Sequence, residues 1–264
     1  MHQKRKAWRS FLCFLFIGIV AVLTLYPMLL EQISAQLNDL GVSIELPLKL
    51  LTALSLINPL LFIIIGLTIG HFLAEKTGFS SLIYERDRYG TPFFSRLKFM
   101  LPSAVGFGML TGITILLVDF LLLPYLPKEL HASSEDVSIT FFDLGTRFLY
   151  GGVAEELMLR FGVMTLLVFL MWKIFQRRKT KPTPAIVWTG IILSALLFGL
   201  GHYGATASLT EMTPLVFLRM IFLNGFGGLI FGWLYWRKGL EAAMIAHIFT
   251  HVVFVFVSLL RSFI

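Results

Sequence analysis

Three polar clusters stand inside otherwise apolar stretches of this chain: Glu155-Glu156-x-x-x-Arg160, Phe198-x-x-x-His202 and His247-x-x-x-His251. Carboxylates can take a proton from water and hand one to a leaving group. Imidazoles can hold that water, and both groups can ligate a metal. Inside a bilayer, charged groups cost at least ~2.5–3.5 kcal/mol each on insertion scales, so each marks function by default. Two carboxylates, an arginine and three histidines on three segments point to an enzyme.

Spacing assigns first roles. Glu156 precedes Arg160 by four residues, the separation at which a helix sets carboxylate and guanidinium on one face. That pair would neutralise one acid. Glu155, about 100° round the helix, has no partner on its own segment and faces the interior as general base or metal ligand. Phe198 and His202 share a face, with Gly199 and Gly201 letting another backbone come close. His247 and His251 project together, as do the two ligands of a zinc-binding H-E-x-x-H helix, but Ile248, Phe249 and Thr250 lie between them, so the base comes from elsewhere. Taken singly, each cluster has a bland reading as a salt-bridge network, an interfacial histidine or a packed histidine pair. Their joint occurrence is what is specific.

The constellation resembles the CAAX protease and bacteriocin-processing family of intramembrane endopeptidases, which includes the CAAX prenyl proteases. That family carries a double glutamate with a following arginine, a phenylalanine–histidine pair, and a histidine followed four residues later by asparagine or a similar polar residue. Glu155, Glu156 and Arg160, then Phe198 and His202, then His247 match it, within roughly 142–260, and His251 stands where asparagine is common. The resemblance implies Glu155 as the catalytic glutamate, with His202 and His247 beside the attacking water. His251 would be oxyanion donor or extra ligand, and Glu156, Arg160 and Phe198 would support the site. Two routes stay open: glutamate and histidines alone, or a divalent metal such as zinc held by ligands drawn from Glu155, His202, His247 and His251. The related PrsW-type glutamate proteases carry glutamate where this chain has His202, which argues against that membership.

The elements that must position these groups read as membrane helices. The 264 residues are 57% hydrophobic and 14% charged, with mean hydropathy +0.83; soluble domains carry roughly 25% charged residues. Apolar runs long enough to span a bilayer fall at about 11–30, 48–73, 99–123, 142–174, 185–203, 215–236 and 240–260. The fold class is therefore all-α, a polytopic membrane bundle of about seven helices, or eight if the 75–98 region or the long fourth segment splits. It reads as one integral membrane domain over 1–264, with a catalytic core at about 142–260. The first run is too long for a signal-peptide core and reads as a retained span. A single cysteine, Cys13, excludes an intramolecular disulfide.

With the N-terminus cytoplasmic, sixteen of the 22 lysines and arginines fall on cytoplasmic segments, five on the opposite side, and Arg160 within a span. That positive-inside bias accounts for the net charge of +7 and for a pI near 9.6 without nucleic acid as a partner. It places the protein in the cell membrane with its C-terminus on the far side. The expected partners are the lipid bilayer and a membrane-associated peptide or protein substrate; the oligomeric state is unknown from sequence. The 75–98 region reads as an amphipathic hairpin or interfacial helix, the stretch at 124–140 with Glu135-Asp136 as an outer loop, and the basic stretch at 173–184 as a connector. At 1.5 Å per residue, Glu155 and His247 sit roughly 10 Å from the cytoplasmic face and His202 about 25 Å from it, so the fifth helix is tilted or broken, or its boundaries shift by a turn. Two rival classes are a non-catalytic membrane scaffold or immunity protein and an ion-coupled transporter using buried groups such as Asp119.

Overall fold

The structure is a computed structural model that describes residues 6–42, 44–131 and 139–261. Lys4, Arg5, Glu135 and Asp136 of the topology argument lie outside the described residues. Among the described residues all regular structure is helical. The helices are α1 (Trp8–Leu23), α2 (Tyr26–Leu40), α3 (Leu48–Ser55), α4 (Ile57–Thr77), α5 (Leu82–Tyr89) and α6 (Phe93–Leu122), followed by α7 (Phe141–Phe175), α8 (Pro184–Gly201), α9 (Tyr203–Ala207), α10 (Pro214–Lys238) and α11 (Leu240–Arg261). Six stretches among them are long and apolar enough to cross a membrane, and α1 with α2 makes a seventh if that pair, bent by 41°, counts as one span. The seven-span reading holds with the first span bent. The eight-span alternative is not realised: α7 is a continuous helical stretch, and between the end of α4 and the start of α6 the 75–98 region holds only the eight-residue α5.

Local chemistry sets the ends. Ser81 caps α5 by accepting from the Tyr84 N–H, and Gly90 closes it in the left-handed conformation (φ 71°) that glycine tolerates. At the start of α7, Thr140 and Asp143 form a reciprocal capping box. Pro184 and Pro214 occupy the first turns of α8 and α10, where a missing N–H costs nothing.

At the end of the bundle that carries α5, Glu241 is the main fastener. Its buried carboxylate accepts from the Ser81 hydroxyl (2.7 Å) and from the backbone N–H groups of Leu82 (2.8 Å) and Ile83 (2.9 Å). The start of α11 is thereby tied to the start of α5. On the same side the Ser10 N–H donates to Asp87 at 2.8 Å, tying α1 to α5. At the opposite end Arg219 on α10 pairs with Asp119 on α6 at 2.6 Å, which places Asp119 in a structural bridge.

α7 runs through the middle of the bundle, against α1, α4, α8 and α11. Its approach to α4 is close enough that a Cβ on Gly162 would lie 2.6 Å from the Gly66 Cα, so the crossing depends on both residues being glycine. Two stretches of α7 are π-helical, Thr146–Ala154 and Leu157–Met164, and they flank the double glutamate. The Glu155 N–H donates to the Tyr150 carbonyl and the Thr165 N–H to that of Arg160, each five residues back. Such widened turns are rare, cost hydrogen-bond geometry and concentrate at functional sites.

Candidate active site

The three motifs converge. Glu155, Glu156 and Arg160 project from α7, Phe198 from α8 with His202 at its C-terminal end, and His247 and His251 from α11. The π turns of α7 and its packing against α11 set both glutamates beside one imidazole. Glu156 Oε1 lies 2.9 Å from Nδ1 of His247, and Glu155 Oε2 lies 3.9 Å from the other ring nitrogen, Nε2. The Glu156 carboxylate accepts, so the proton of a neutral His247 sits on Nδ1 and Nε2 keeps its lone pair.

Glu156 meets Arg160 as the spacing predicts: Nη1 stands 3.1 Å from Oε1, and both side chains are fully buried. The contact is an ion pair without hydrogen-bond alignment. Nε and Nη2 of Arg160 and Oε2 of Glu156 have no hydrogen-bond partner among the described residues. Aromatic faces take up the difference. The guanidinium lies 4.7 Å from the ring centre of Phe198 and 5.5 Å from that of Phe231, where ring quadrupoles attract a cation. Phe231 also stacks on His247 at 4.5 Å. A Cβ on Gly228 would come 2.9 Å from the Ala195 Cα and 3.3 Å from Arg160 Nη2, so the glycine lets α10 close on α8 beside the guanidinium.

His202 follows the last residue of α8, and its Nδ1 lies 2.9 Å from the Phe198 carbonyl. A carbonyl only accepts, so Nδ1 carries the proton and Nε2 is left as an acceptor. The predicted gap in depth between His202 and His247 is not found: the one ring of Phe198 lies edge-on to both, at 4.9 Å and 5.8 Å. α8 is unbroken up to Gly201 and ends there. His251 stacks on His247 at 5.0 Å, its Nδ1 has no partner among the described residues, and a Cβ on Gly151 would meet its Nε2 at 2.7 Å.

Burial divides each motif the same way. Glu156, Arg160, Phe198 and His247 are buried, whereas Glu155, His202 and His251 are partly exposed. In every motif the partly exposed residue lies toward the end of the bundle that carries α2. The geometry offers a carboxylate and imidazole nitrogens at a partly exposed edge, held from behind by a buried ion pair.

Sequence reasoning missed Phe231, Gly228 and Glu241. The first two carry no pattern of their own within an apolar helix. Glu241, an acid at the first turn of a span, was a usable signal. Among the described residues no three His, Cys, Asp or Glu side chains are grouped as metal ligands would be. His247 and His202 each donate from Nδ1 and keep Nε2 free, which is also how a metal-bound imidazole is held, so it is the grouping of the donors, not their tautomers, that departs from a zinc site.

Fold and site together define a polytopic, all-helical membrane protein with a Glu/His centre inside the bundle. Residues 137–253 match the family model described as "Type II CAAX prenyl endopeptidase Rce1-like", so the resemblance read from the motifs holds over the region that contains all of them, and the match indicates a protease. No curated protein and no solved structure matches the chain.

Proposed function

We propose that the protein hydrolyses a peptide bond of a membrane-associated substrate with a water activated by Glu155 and held by histidines. The observation that carries the reading is the pair of opposed contacts on His247. Glu156 fixes its Nδ1, and Glu155 stands 3.9 Å from its Nε2, too far for a hydrogen bond and within the span of one bridging water. Glu155 takes a proton from that water as its oxygen attacks the carbonyl carbon. The proton then passes to the amide nitrogen as the carbon–nitrogen bond breaks. His247 presents the Nε2 lone pair that accepts from the water's second O–H, His202 keeps an Nε2 lone pair at the same edge, and His251, stacked on His247, donates to the developing oxyanion. No step runs through a metal. Glu156 and Arg160 act on His247 from behind and touch neither water nor substrate.

The family's name makes a prenylated C-terminal tail the first substrate class to try. Purified protein in detergent is given a lipidated, membrane-proximal peptide, and wild type is compared with Glu155→Ala and His247→Ala. Cleavage by wild type and loss in both variants supports the reading; equal turnover by all three rejects it.

The bias of basic residues puts the α5 end in the cytoplasm, so the mouth opens on the other side. Ser208, which accepts from Gln32 of α2 across 3.5 Å, marks that end. A Ser208→Cys variant made in a Cys13→Ser chain reacts with an impermeant thiol reagent added outside intact cells. Reaction only after the inner face is exposed reverses the orientation.

A further inference from the structure

A cavity of about 440 Å³ opens at the α5 end, away from the three motifs. Its size is that of a small-ligand pocket, and its lining combines three cations with a platform of rings. We infer that it binds the phosphate headgroup of an anionic phospholipid, a function separate from proteolysis and resting on different residues.

The cations are Lys6 before α1, Lys76 at the end of α4, and Arg88 on α5. The one carboxylate in the lining, Glu75, is engaged: Arg88 Nε lies 3.0 Å from it, and the Tyr84 and Tyr89 hydroxyls donate to it. Neither Lys6 nor Lys76 takes part in an ion pair among the described residues. The lining therefore carries three cations against one carboxylate. Burial pushes the Tyr84 phenol up to about 12, so it stays a neutral donor beside them.

The rings fix depth. Trp8 stacks on His71 at 5.1 Å, and Tyr84 meets the same imidazole edge-on at 5.6 Å. Tryptophan and tyrosine with nearby lysines are the side chains that settle at the headgroup level. Basic pockets between membrane helices hold anionic headgroups there. Below the pocket the surface turns to hydrocarbon. Trp8, Leu12 and Phe16 on α1 are 49%, 61% and 69% exposed, spaced four residues apart on one face, and Phe72 on α4 is 53% exposed beside them. A cationic pocket at the head of an apolar track matches a phosphate that carries acyl chains better than a free one.

The test uses the full chain in detergent, titrated with short-chain phosphatidylglycerol, phosphatidylcholine of equal chain length, and inorganic phosphate, with melting temperature as readout. Wild type is expected to bind phosphatidylglycerol in preference to both others. In the double variant Lys6→Gln/Lys76→Gln its affinity should fall roughly tenfold or more, with the unliganded melting temperature unchanged. Arg178→Gln/Lys179→Gln, on the basic connector, should bind as wild type does. Trp8→Ala keeps the charges and should weaken phosphatidylglycerol without affecting phosphate. Equal affinity in wild type and Lys6→Gln/Lys76→Gln, an equal loss in the connector variant, or inorganic phosphate binding as tightly as phosphatidylglycerol would each overturn the assignment.

Discussion

The two halves of the site carry the same residue types and treat them oppositely. In the buried half, Glu156 and Arg160 are paired 3.1 Å apart with no exposure, walled by Phe198 and Phe231, and bonded to His247. In the more exposed half, Glu155 is 17% exposed and His202 and His251 are partly exposed. A glutamate with its partners already chosen cannot readily serve as a base, because accepting a proton would neutralise it and break the ion pair. A glutamate one residue away, facing the edge, can. The lesson is that adjacent acids on one helix are given separate work by the depth at which each ends.

Breaking the dry half is expected to give the largest change in stability. Arg160→Met leaves Glu156 buried without its cation, and removing one partner of such a pair costs about 3–5 kcal/mol. Chemical or thermal unfolding in detergent measures it, and a loss under 1 kcal/mol would mean that Arg160 is not needed to offset the carboxylate. Next comes the contact of the more exposed half with α7. A methyl at Gly151 would meet His251 Nε2 at 2.7 Å, so Gly151→Ala should displace that ring. About 1–3 kcal/mol of overpacking is expected, together with slower turnover, read by kinetics and unfolding on the same preparation. A smaller effect is expected below the site, where the Tyr235 hydroxyl and Thr165 hydroxyl lie 3.0 Å apart. Tyr235→Phe should cost about 1 kcal/mol and leave the rate per folded molecule unaltered. The smallest change is expected from metal removal. Dialysis against chelator should leave turnover unchanged, with metal content followed in parallel; activity lost with the metal and regained with zinc would replace the metal-free scheme.

Much of this was legible in the sequence because lipid enforces simple rules. Long apolar runs become spans, and the four-residue step from Glu156 to Arg160 survives as a contact. The reading of Glu155 as the acid without a partner on its own helix also agrees with its placement. What was hidden depends on tertiary packing. Sequence spacing set the two glutamates about 100° apart on a regular helix, yet both reach His247, because π turns on either side of them reshape α7 and α11 packs across it. Phe231 looks like any apolar residue of α10 until Arg160 is found above it. The bend between α1 and α2 follows a run of apolar residues that suggests a straight span.

The central claim is that Glu155 performs the chemistry while Glu156 holds His247 in place. It is tested most directly by measuring cleavage rate and melting temperature side by side for Glu155→Gln and Glu156→Gln. Glu155→Gln is expected to melt close to wild type while its rate falls by about 10²–10⁴. Glu156→Gln is expected to melt lower and to keep measurable turnover per folded molecule. Wild-type cleavage by Glu155→Gln, with activity abolished in a stable Glu156→Gln protein, would contradict the account and hand the base to the buried acid.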